Sequence, residues 1–258
     1  MEIRKKIEIE HYDKEAEQCP QGQVKESGSR GGLNPFDLAS YIFLKNISKG
    51  RIKGKKVLDY GCGMGLNLEW ISSLAKEVVG IDLSEKSLRI AQKMALDKKL
   101  ENTELILMDC EKLEFEDNFF DVVFDGGTFS SLDIEKALPE LKRVLRSDGY
   151  ILGIETFGHN PFTNLKRKFN KITKKRTEWA EGHIIKEKDF KTIKEHFEDL
   201  EVHYFHLISW IVFPFMSMPR AISALRLFEK IDGLLIHVAP FLKKYSFKIV
   251  FILKNPKK

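Results

Sequence analysis

The chain has 258 residues, 43% of them hydrophobic and 31% charged, and a formal net charge of +5. This composition is that of a soluble globular protein with one sizeable core and an appendage or two, which excludes a second full domain. The cysteines Cys19, Cys62 and Cys110 form no close pair in the sequence. They favour a reducing compartment over a disulfide framework or a zinc site. The alternating charges of residues 1–10 are not those of a signal peptide, so we expect a cytoplasmic protein.

Residues 1–32 are polar and rich in charge, glycine and serine, and we interpret them as an N-terminal arm or lid. Their one distinctive patch is His11-Tyr12-Asp13, and the open alternative is a solvated helix with Tyr12 half packed. Residues 33–258 form the predicted domain, which begins with a helix that has proline in its first turn, at Asn34-Pro35-Phe36. The predicted apolar face of this helix consists of Leu38, Tyr41, Ile42 and Leu44.

A short apolar run then ends in an acid and three alternating glycines, in the pattern Asp59-x-Gly61-x-Gly63-x-Gly65. Apolar residues before it and helical spacing after it predict a strand, a tight turn and a helix. Glycine permits the turn because it has no Cβ, and the helix N-terminus offers free N–H groups to a ligand. A dinucleotide fingerprint needs its third glycine where Leu66 stands. The acid before the loop would repel a pyrophosphate and suits a cationic ligand group instead.

Three further strand ends carry polar residues. The run 78–82 ends in Asp82, where a carboxylate is expected to hold a ribose diol. The next two runs, 103–108 and 119–124, end in Asp109-Cys110 and Asp125-Gly126-Gly127. Ligands of wound α/β sheets bind outside the carboxyl ends of the strands, so these residues are predicted to share one crevice.

With these motifs the chain resembles the class I S-adenosylmethionine-dependent methyltransferases, most closely over 52–155. The resemblance implies S-adenosyl-L-methionine as cofactor, S-adenosyl-L-homocysteine as product, and a contact of Asp109 with adenine. It also implies an α/β fold with a doubly wound, seven-stranded, mostly parallel sheet of order 3-2-1-4-5-7-6, an antiparallel last strand and helices on both faces. The cofactor-binding residues that it assigns are Tyr12, Asp59, Gly61, Cys62, Gly63, Gly65, Asp82, Leu83, Asp109, Cys110, Asp125 and Gly126.

Strand and helix patterns alternate up to residue 155, which favours a parallel sheet with right-handed crossovers. Ser84 is expected to cap the helix after Asp82, and Ser147-Asp148-Gly149 to turn into the fifth strand. Segments 157–185 and 208–242 are interpreted as substrate-side insertions. The other predicted elements are helices at 68–74, 87–96, 133–145, 188–197 and within 221–242, and strands at 150–155, 200–207 and 248–253.

Residues after the fifth strand face the substrate in this fold, so His159 is the first candidate for a general base. A neutral imidazole can take the proton of a hydroxyl as it attacks the methyl carbon. The alternative is that His159 only positions its loop, since methyl transfer needs mainly in-line alignment of acceptor and methyl group. His183 and His11 are weaker candidates. Arg30 could reach the methionine carboxylate, or it could be a surface arginine, which the sequence favours.

Two segments bear on the acceptor and on possible partners. Residues 165–176 form a predicted cationic amphipathic helix that could contact a phosphate-bearing substrate, an anionic membrane or RNA, or could simply be solvated. Residues 208–220 are aromatic, but too short and too broken by proline to span a bilayer. With 221–242 they form an insertion that could roof the pocket of an apolar or lipid-linked acceptor, or cover the sheet edge. Peripheral membrane contact is therefore open through 165–176 or 208–220.

The motifs of nucleic-acid base methyltransferases are missing. Asp125-Gly126-Gly127-Thr128 stands where an Asn/Asp-Pro-Pro-aromatic run belongs, and no cysteine occupies the nucleophile position. No metal-ligand cluster follows the fourth strand, so no metal is expected. These observations favour in-line methyl transfer to an oxygen, or with less support a nitrogen, of a small or lipid- or phosphate-linked acceptor. Two alternatives stay open: an RNA methyltransferase that uses 165–176, and a non-catalytic protein that binds S-adenosylmethionine.

Overall fold

A computed structural model describes residues 2–18, 34–161, 164 and 177–257. The strands are β1 Lys56–Tyr60, β2 Glu77–Asp82, β3 Thr103–Leu107, β4 Phe120–Asp125, β5 Leu145–Thr156, β6 Phe197–Phe205 and β7 Lys248–Pro256. The α-helices are α1 Ile3–Glu17, α2 Ala39–Ile52, α3 Leu68–Ser72, α4 Glu85–Asp97, α5 Ile134–Val144, α6 Glu178–Gly182, α7 Asp189–His196 and α8 Ala221–Val238. Short 3₁₀ helices are Pro35–Asp37, Phe129–Ser131, Ser209–Phe215 and Pro240–Tyr245.

The strands form one sheet of order β3-β2-β1-β4-β5-β7-β6, which is the order predicted from the sequence. The pairs β1–β2, β1–β4, β2–β3 and β4–β5 are parallel. β7 runs antiparallel to both of its neighbours, β5 and β6. The predicted α/β fold is therefore confirmed. Because β6 runs in the same direction as β5, the carboxyl ends of β1 to β6 all lie along one edge of the sheet.

Helices cover both faces of the sheet, and each face has its own apolar core. On one face Phe251 of β7 packs edge-to-face against Phe129, with ring centroids 5.6 Å apart. On the other face Phe124 of β4 packs edge-to-face against Trp70, with centroids 5.3 Å apart. Central strands that are buried on both faces carry consecutive apolar residues, such as Val57-Leu58 in β1 and Val122-Val123-Phe124 in β4, which is why these strands stand out in the sequence.

The start of the domain differs from the expectation in two details. Asn34 accepts from the N–H of Phe36 and caps the 3₁₀ helix Pro35–Asp37, so α2 begins only at Ala39. Ile42, expected on the apolar face of α2, is 39% exposed. Adjacent residues of a helix point about 100° apart, and Tyr41 takes the buried position while Ile42 faces outward.

Three strands, β5, β6 and β7, are longer than expected, and β7 extends to Pro256. β5 begins at Leu145, and its register with β4 shifts between Phe120 and Val122, so that the predicted turn 147–149 lies within a bulged strand. Gly149 permits this because a Cβ there would meet the carbonyl oxygen of Asp121 at 2.7 Å. β6 begins at Phe197, which pairs with the last residue of β7. Ser84 accepts from the N–H of Ser87 at 3.1 Å, and the predicted cap of α4 is confirmed.

The insertion before β7 comprises the 3₁₀ helix Ser209–Phe215, α8 and the 3₁₀ helix Pro240–Tyr245. It leaves the sheet where β6 ends and returns where β7 begins, and these two positions, Phe205 and Lys248, are paired. The insertion therefore lies at the sheet edge where β1 to β5 also end. None of the helices in the described ranges has both the length and the apolar character needed to cross a membrane.

Replacing Phe251 with alanine removes a buried ring, and we expect the free energy of unfolding to fall by about 3 to 5 kcal/mol. Leu96→Ala is the matched control, because Leu96 on α4 is 78% exposed and its change should stay within about 0.5 kcal/mol. Urea unfolding followed by circular dichroism measures both values. Equal losses of unfolding free energy in the two variants would contradict the position of Phe251 in the apolar core.

Candidate active site

The glycine loop after β1 has a backbone conformation that favours glycine. Gly61, Gly63 and Gly65 have φ angles of +70°, +53° and +86°. At Gly61 a Cβ would overlap the side chain of Thr128, whose Oγ1 donates to the carbonyl of Tyr60 at 2.9 Å. At Gly63 no atom lies within 4 Å of the position that a Cβ would take. The loop is therefore tightly packed at Gly61 and open to a ligand at Gly63.

Asp82, at the carboxyl end of β2, holds this loop in place. Its Oδ2 accepts from the N–H of Gly63 at 2.9 Å, and its Oδ1 accepts from the N–H of Ser84 at 2.8 Å. The hydroxyl of Ser84 donates to Asp13 of α1 at 2.6 Å. Burial raises the pKa of Asp82, and the backbone N–H groups act in the opposite direction. The residue predicted to hold a ribose thus also shapes the glycine loop.

Asp59 lies in β1 directly before the loop. It is buried, and its Oδ2 has no hydrogen-bond partner among the described residues. Burial, together with the neighbouring charge of Asp82, raises the pKa of Asp59 to about 7. A cationic ligand group at this position would supply the missing partner and favour the ionised carboxylate.

Asp125, at the carboxyl end of β4, has similar surroundings. Its Oδ1 accepts from the N–H groups of Thr128 at 2.8 Å and Gly127 at 3.3 Å, whereas its buried Oδ2 has no partner among the described residues. Burial and the charge of Glu155, near the end of β5, raise the pKa of Asp125 well above its ordinary value. Glu155 was not selected from the sequence as a site residue.

Four neighbouring strands thus bring together one carboxylate each: Asp82 from β2, Asp59 from β1, Asp125 from β4 and Glu155 from β5. We call these residues the carboxylate cluster. Crowded carboxylates in a poorly solvated place repel each other and anionic ligands, and they attract a cation. The arrangement fits a ligand with a positively charged group beside an open backbone, and does not fit a pyrophosphate.

The residues after β3 adjoin the same site. Asp109 accepts from the N–H of Glu111 at 2.9 Å, and its other oxygen lies 2.5 Å from Nζ of Lys5. The carbonyl of Cys110 accepts from the hydroxyl of Tyr60 at 2.6 Å. Burial, and then the charges of Asp82 and Asp109, raise the pKa of the Cys110 thiol well above its ordinary value. The structure therefore brings the ends of β1, β2 and β3 together around Cys110.

The remaining predicted cofactor residues lie around the same loop. Burial also raises the pKa of Cys62, so both described thiols stay protonated. Leu83 follows Asp82 and is half-buried. Gly126 follows Asp125, and a Cβ there would come within 2.9 Å of the amide nitrogen of Asn67. Their roles toward a cofactor stay predictions.

Helix α1 lies across this edge of the sheet, while the interpretation of residues 1–32 as an arm or lid stays a prediction. The hydroxyls of Tyr12 and Ser131 are 2.9 Å apart, and Glu8 is hydrogen-bonded to Thr177. Arg4 binds the carboxylate of Glu111 at 2.7 Å and lies over the ring of Trp179, 4.5 Å from its centroid. These ties join α1 to the segments after β3 and β4 and to α6.

Arg4, Lys5 and their partner Glu111 were not selected from the sequence as site residues. A signal was present, because three adjacent cations, Arg4-Lys5-Lys6, stand in α1 and Asp109-x-Glu111 has two acids separated by one residue. Only the fold brings these segments together, since more than 100 residues separate them.

His159 lies beyond the end of β5 and is half-buried. Its Nε2 accepts from the N–H of Glu187 at 3.0 Å, and its ring packs edge-to-face on Phe157. This geometry matches the positioning alternative, while the role as a base stays a prediction. His183 stacks on Trp179 with centroids 3.6 Å apart, and His11 lies 3.7 Å from Glu15. Arg30, Cys19 and the basic segment 165–176 lie outside the described residues.

A cavity of about 200 Å³ lies at the carboxyl end of β6. His206 lines it, and its two ring nitrogens lie 2.9 Å from the hydroxyl oxygens of Ser40 and Ser209. Burial, followed by the charges of Lys248 and Arg226, lowers the pKa of His206 to about 3, so the ring is neutral. No sequence motif marked this cavity, because its walls come from α2, β6 and α8. Its lining residues are Ala39, Tyr204, Phe205, His206, Glu229, Asp232, Gly233 and Ile236.

Residues 58–153 match a family model described as a methyltransferase domain. The demethylmenaquinone methyltransferase of Staphylococcus aureus strain JH9 is 37% identical over 124 residues, which cover 45% of this chain and 49% of that protein. Residues 58–153 of this chain therefore form a methyltransferase domain. The resemblance seen in the motifs is thereby confirmed. The chain spans about half the length of the curated relatives it matches.

Two solved structures are similar to the methyltransferase fold of this chain over most of its length. Haemonchus contortus phosphoethanolamine N-methyltransferase 2, in complex with phosphomonomethylethanolamine and S-adenosylhomocysteine, has a TM-score of 0.60 and 20% identity, and the match covers 85% of this chain and 54% of that one. The 4+2 cyclase SpnF has a TM-score of 0.58 and 16% identity over 97% of this chain and 93% of that one. At such identities the likeness concerns the fold alone.

The raised pKa of Asp59 predicts a pH-dependent stability of the methyltransferase domain. Between 3.8, its ordinary value, and about 7, its folded value, the folded protein holds this proton more tightly than the unfolded chain. The contribution of Asp59 to stability therefore falls as the pH rises through this range and is constant above it. The side chain that Asp59→Asn introduces cannot ionise. As the pH rises from about 4 to about 7, we therefore expect the free energy of unfolding of the variant to increase by about 2 to 4 kcal/mol relative to that of the unmodified protein.

Urea unfolding at a series of pH values measures this difference. Asp97→Asn, at an exposed carboxylate of α4, is the control and should show almost none of it. A gain for Asp59→Asn that does not depend on pH would rule out a buried, titrating Asp59.

Proposed function

We propose that this chain transfers a methyl group from S-adenosylmethionine to an oxygen, or with less support a nitrogen, of a small or lipid- or phosphate-linked acceptor. The observation that carries the proposal is the carboxylate cluster beside a glycine loop that is open at Gly63. S-adenosylmethionine, when bound, supplies a methyl group on a cationic sulfur for in-line displacement by the acceptor. Its amino group and sulfonium are cations of the kind that the cluster favours.

The residues of this chain divide the work of binding. Asp82 accepts hydroxyl hydrogen bonds while it keeps the loop in shape through Gly63, and Asp109 binds the adenine amine. Asp59 and Asp125 each offer a buried oxygen that has no partner among the described residues. Methyl transfer of this kind gains most of its rate from alignment, so rigid positioning by the strand ends is the main contribution.

Helix α1 acts as the lid of this site in the proposal. Lys5 is bound to Asp109, so Asp109 would bind the adenine amine either together with Lys5 or after Lys5 has moved away. In the carboxyl-terminal half of α1, Tyr12 is hydrogen-bonded to Ser131 and Asp13 to Ser84. A closed α1 would exclude water from the transfer step.

The comparisons suggest two acceptor classes to assay first. The relative from Staphylococcus aureus is named for demethylmenaquinone, and the Haemonchus contortus structure holds phosphomonomethylethanolamine. The described acceptor side, with the cavity at β6 and the insertion, lies outside the matched residues 58–153. A panel of quinone precursors and phosphorylated amines, with S-adenosylmethionine labelled in its methyl group, distinguishes these classes.

Two other functions remain to be tested beside this one. The similarity in fold to a protein named as a cyclase supports testing for cofactor binding without methyl transfer. An RNA methyltransferase would use 165–176, and its RNA binding would weaken steeply with salt. Neutralising Lys174, Lys175 and Arg176 should abolish that binding if RNA is the acceptor.

Replacing Asp82 with alanine should weaken binding of S-adenosylmethionine by roughly 1 to 3 kcal/mol, because it strands the ribose hydroxyls and the N–H of Gly63. Isothermal titration calorimetry measures the affinity. Asp97→Ala is the matched control on the exposed side of α4, and Asp82→Asn tests whether the shape of the carboxylate suffices without its charge. Unchanged affinity of Asp82→Ala would refute the cofactor site.

His159→Ala should lower turnover roughly 10²- to 10⁴-fold if the imidazole is the base, and leave cofactor affinity nearly intact. The variant His159→Gln distinguishes a base from a positioning residue. Its glutamine can still accept a hydrogen bond from the N–H of Glu187 but cannot take the proton of the acceptor hydroxyl. Loss of turnover in both variants supports the base. Recovery in His159→Gln would show a positioning role, and unchanged turnover in His159→Ala would remove His159 from the mechanism.

A further inference from the structure

The insertion before β7 exposes an unusual amount of apolar side chain. On α8, Leu227, Leu234 and Val238 are 58%, 62% and 72% exposed. Their spacing of seven and four residues places them on one face of the helix. Of the 13 large apolar side chains that are exposed in the described ranges, eight lie in this insertion: Ile211, Phe215, Met218, Ile222, Leu227, Leu234, Val238 and Phe241.

In the insertion, the acidic side chains face inward and the exposed charged side chains are cations. Its two acids point inward: Glu229 accepts from the N–H of Ala39 at 2.8 Å, and Asp232 accepts from the N–H groups of Ile208 and Ser209. The exposed charged side chains of the insertion are the cations Arg220, Lys230 and Lys243. We call the exposed apolar residues and these cations the α8 surface; it is apolar and positive at once.

We propose that the α8 surface binds the headgroup region of an anionic phospholipid bilayer. Exposed apolar side chains interspersed with lysine and arginine, without exposed acids, are the features of helices that lie in the membrane interface. A second copy of this chain is disfavoured as the occupant, because pairing the same surface would bring like charges together. The helix binds along the surface and does not cross it, in keeping with its length and composition.

The position of the insertion gives this binding a consequence. The insertion starts and ends at the sheet edge that carries the carboxylate cluster. The side-chain amide of Asn160, in the loop after β5, donates to the carbonyl of Tyr245 at 2.7 Å, which ties that loop to the last turn of the insertion. A bilayer on the α8 surface would therefore lie near the acceptor side of the site. Membrane binding itself does not require methyl transfer and can be tested without it.

Flotation of the full chain with vesicles tests the proposal. We expect binding to vesicles of phosphatidylcholine with phosphatidylglycerol, little binding to phosphatidylcholine alone, and weaker binding as salt increases. The double variants Leu227→Glu/Leu234→Glu and Lys230→Glu/Lys243→Glu should each reduce partitioning about tenfold or more. Leu96→Glu/Leu107→Glu is the matched control, because both leucines are exposed on other elements, α4 and β3, and its partitioning should be unchanged.

Circular dichroism melting confirms that each variant is folded, and light scattering reports the oligomeric state. Failure of the unmodified chain to float with phosphatidylglycerol vesicles would overturn the proposal. So would equal partitioning of the α8 variants and the control. A dimer that Leu227→Glu/Leu234→Glu dissociates would also overturn it, since the surface would then be an interface between copies of the chain. Cofactor affinity, measured separately, distinguishes these outcomes from a failure of the methyltransferase assignment.

Discussion

The buried carboxylates at the strand ends are the constraint on which the rest of the structure depends. Asp59 and Asp125 are almost inaccessible, and burial makes their ionised forms unfavourable. Backbone N–H groups of the loops stabilise Asp82 and Asp125 in part, which fixes those loops. The remaining cost of the buried charge is removed either by protonation or by a cation that binds beside the carboxylates. A ligand with a positive group should therefore both bind at this edge and stabilise the fold.

Helix α1 and the insertion before β7 orient their charged side chains in opposite ways. Helix α1 brings Arg4 and Lys5 inward to the acids Asp109 and Glu111, so it is held to the site by ion pairs with little exposed surface. The insertion turns its acids inward and its cations outward. Helix α1 therefore places its cations against the strand ends, whereas the insertion leaves its cations exposed.

The residues that match the methyltransferase family model and the residues to which we assign the acceptor side are separate parts of this chain. The matched range 58–153 contains β2 to β4, the last three residues of β1 and most of β5, and these strands and the loops after them carry the predicted cofactor-binding residues that follow α1. His159, the cavity beside His206 and α8 all follow it. The two solved structures of similar fold are named for a phosphorylated amine and for a cyclization, so the fold by itself does not identify the acceptor.

The sequence by itself determined the sheet, its order through the family resemblance, and the position of the glycine loop. Those features follow from local patterns: apolar runs for strands buried on both faces, and glycines where φ is positive. It did not reveal Glu155 beside Asp125, Lys5 on Asp109, or the cavity around His206, and it placed Ile42 on the wrong face of α2. Only the tertiary structure decided these, because each depends on side chains from distant segments meeting in space, and no local pattern in the chain records which segments will meet.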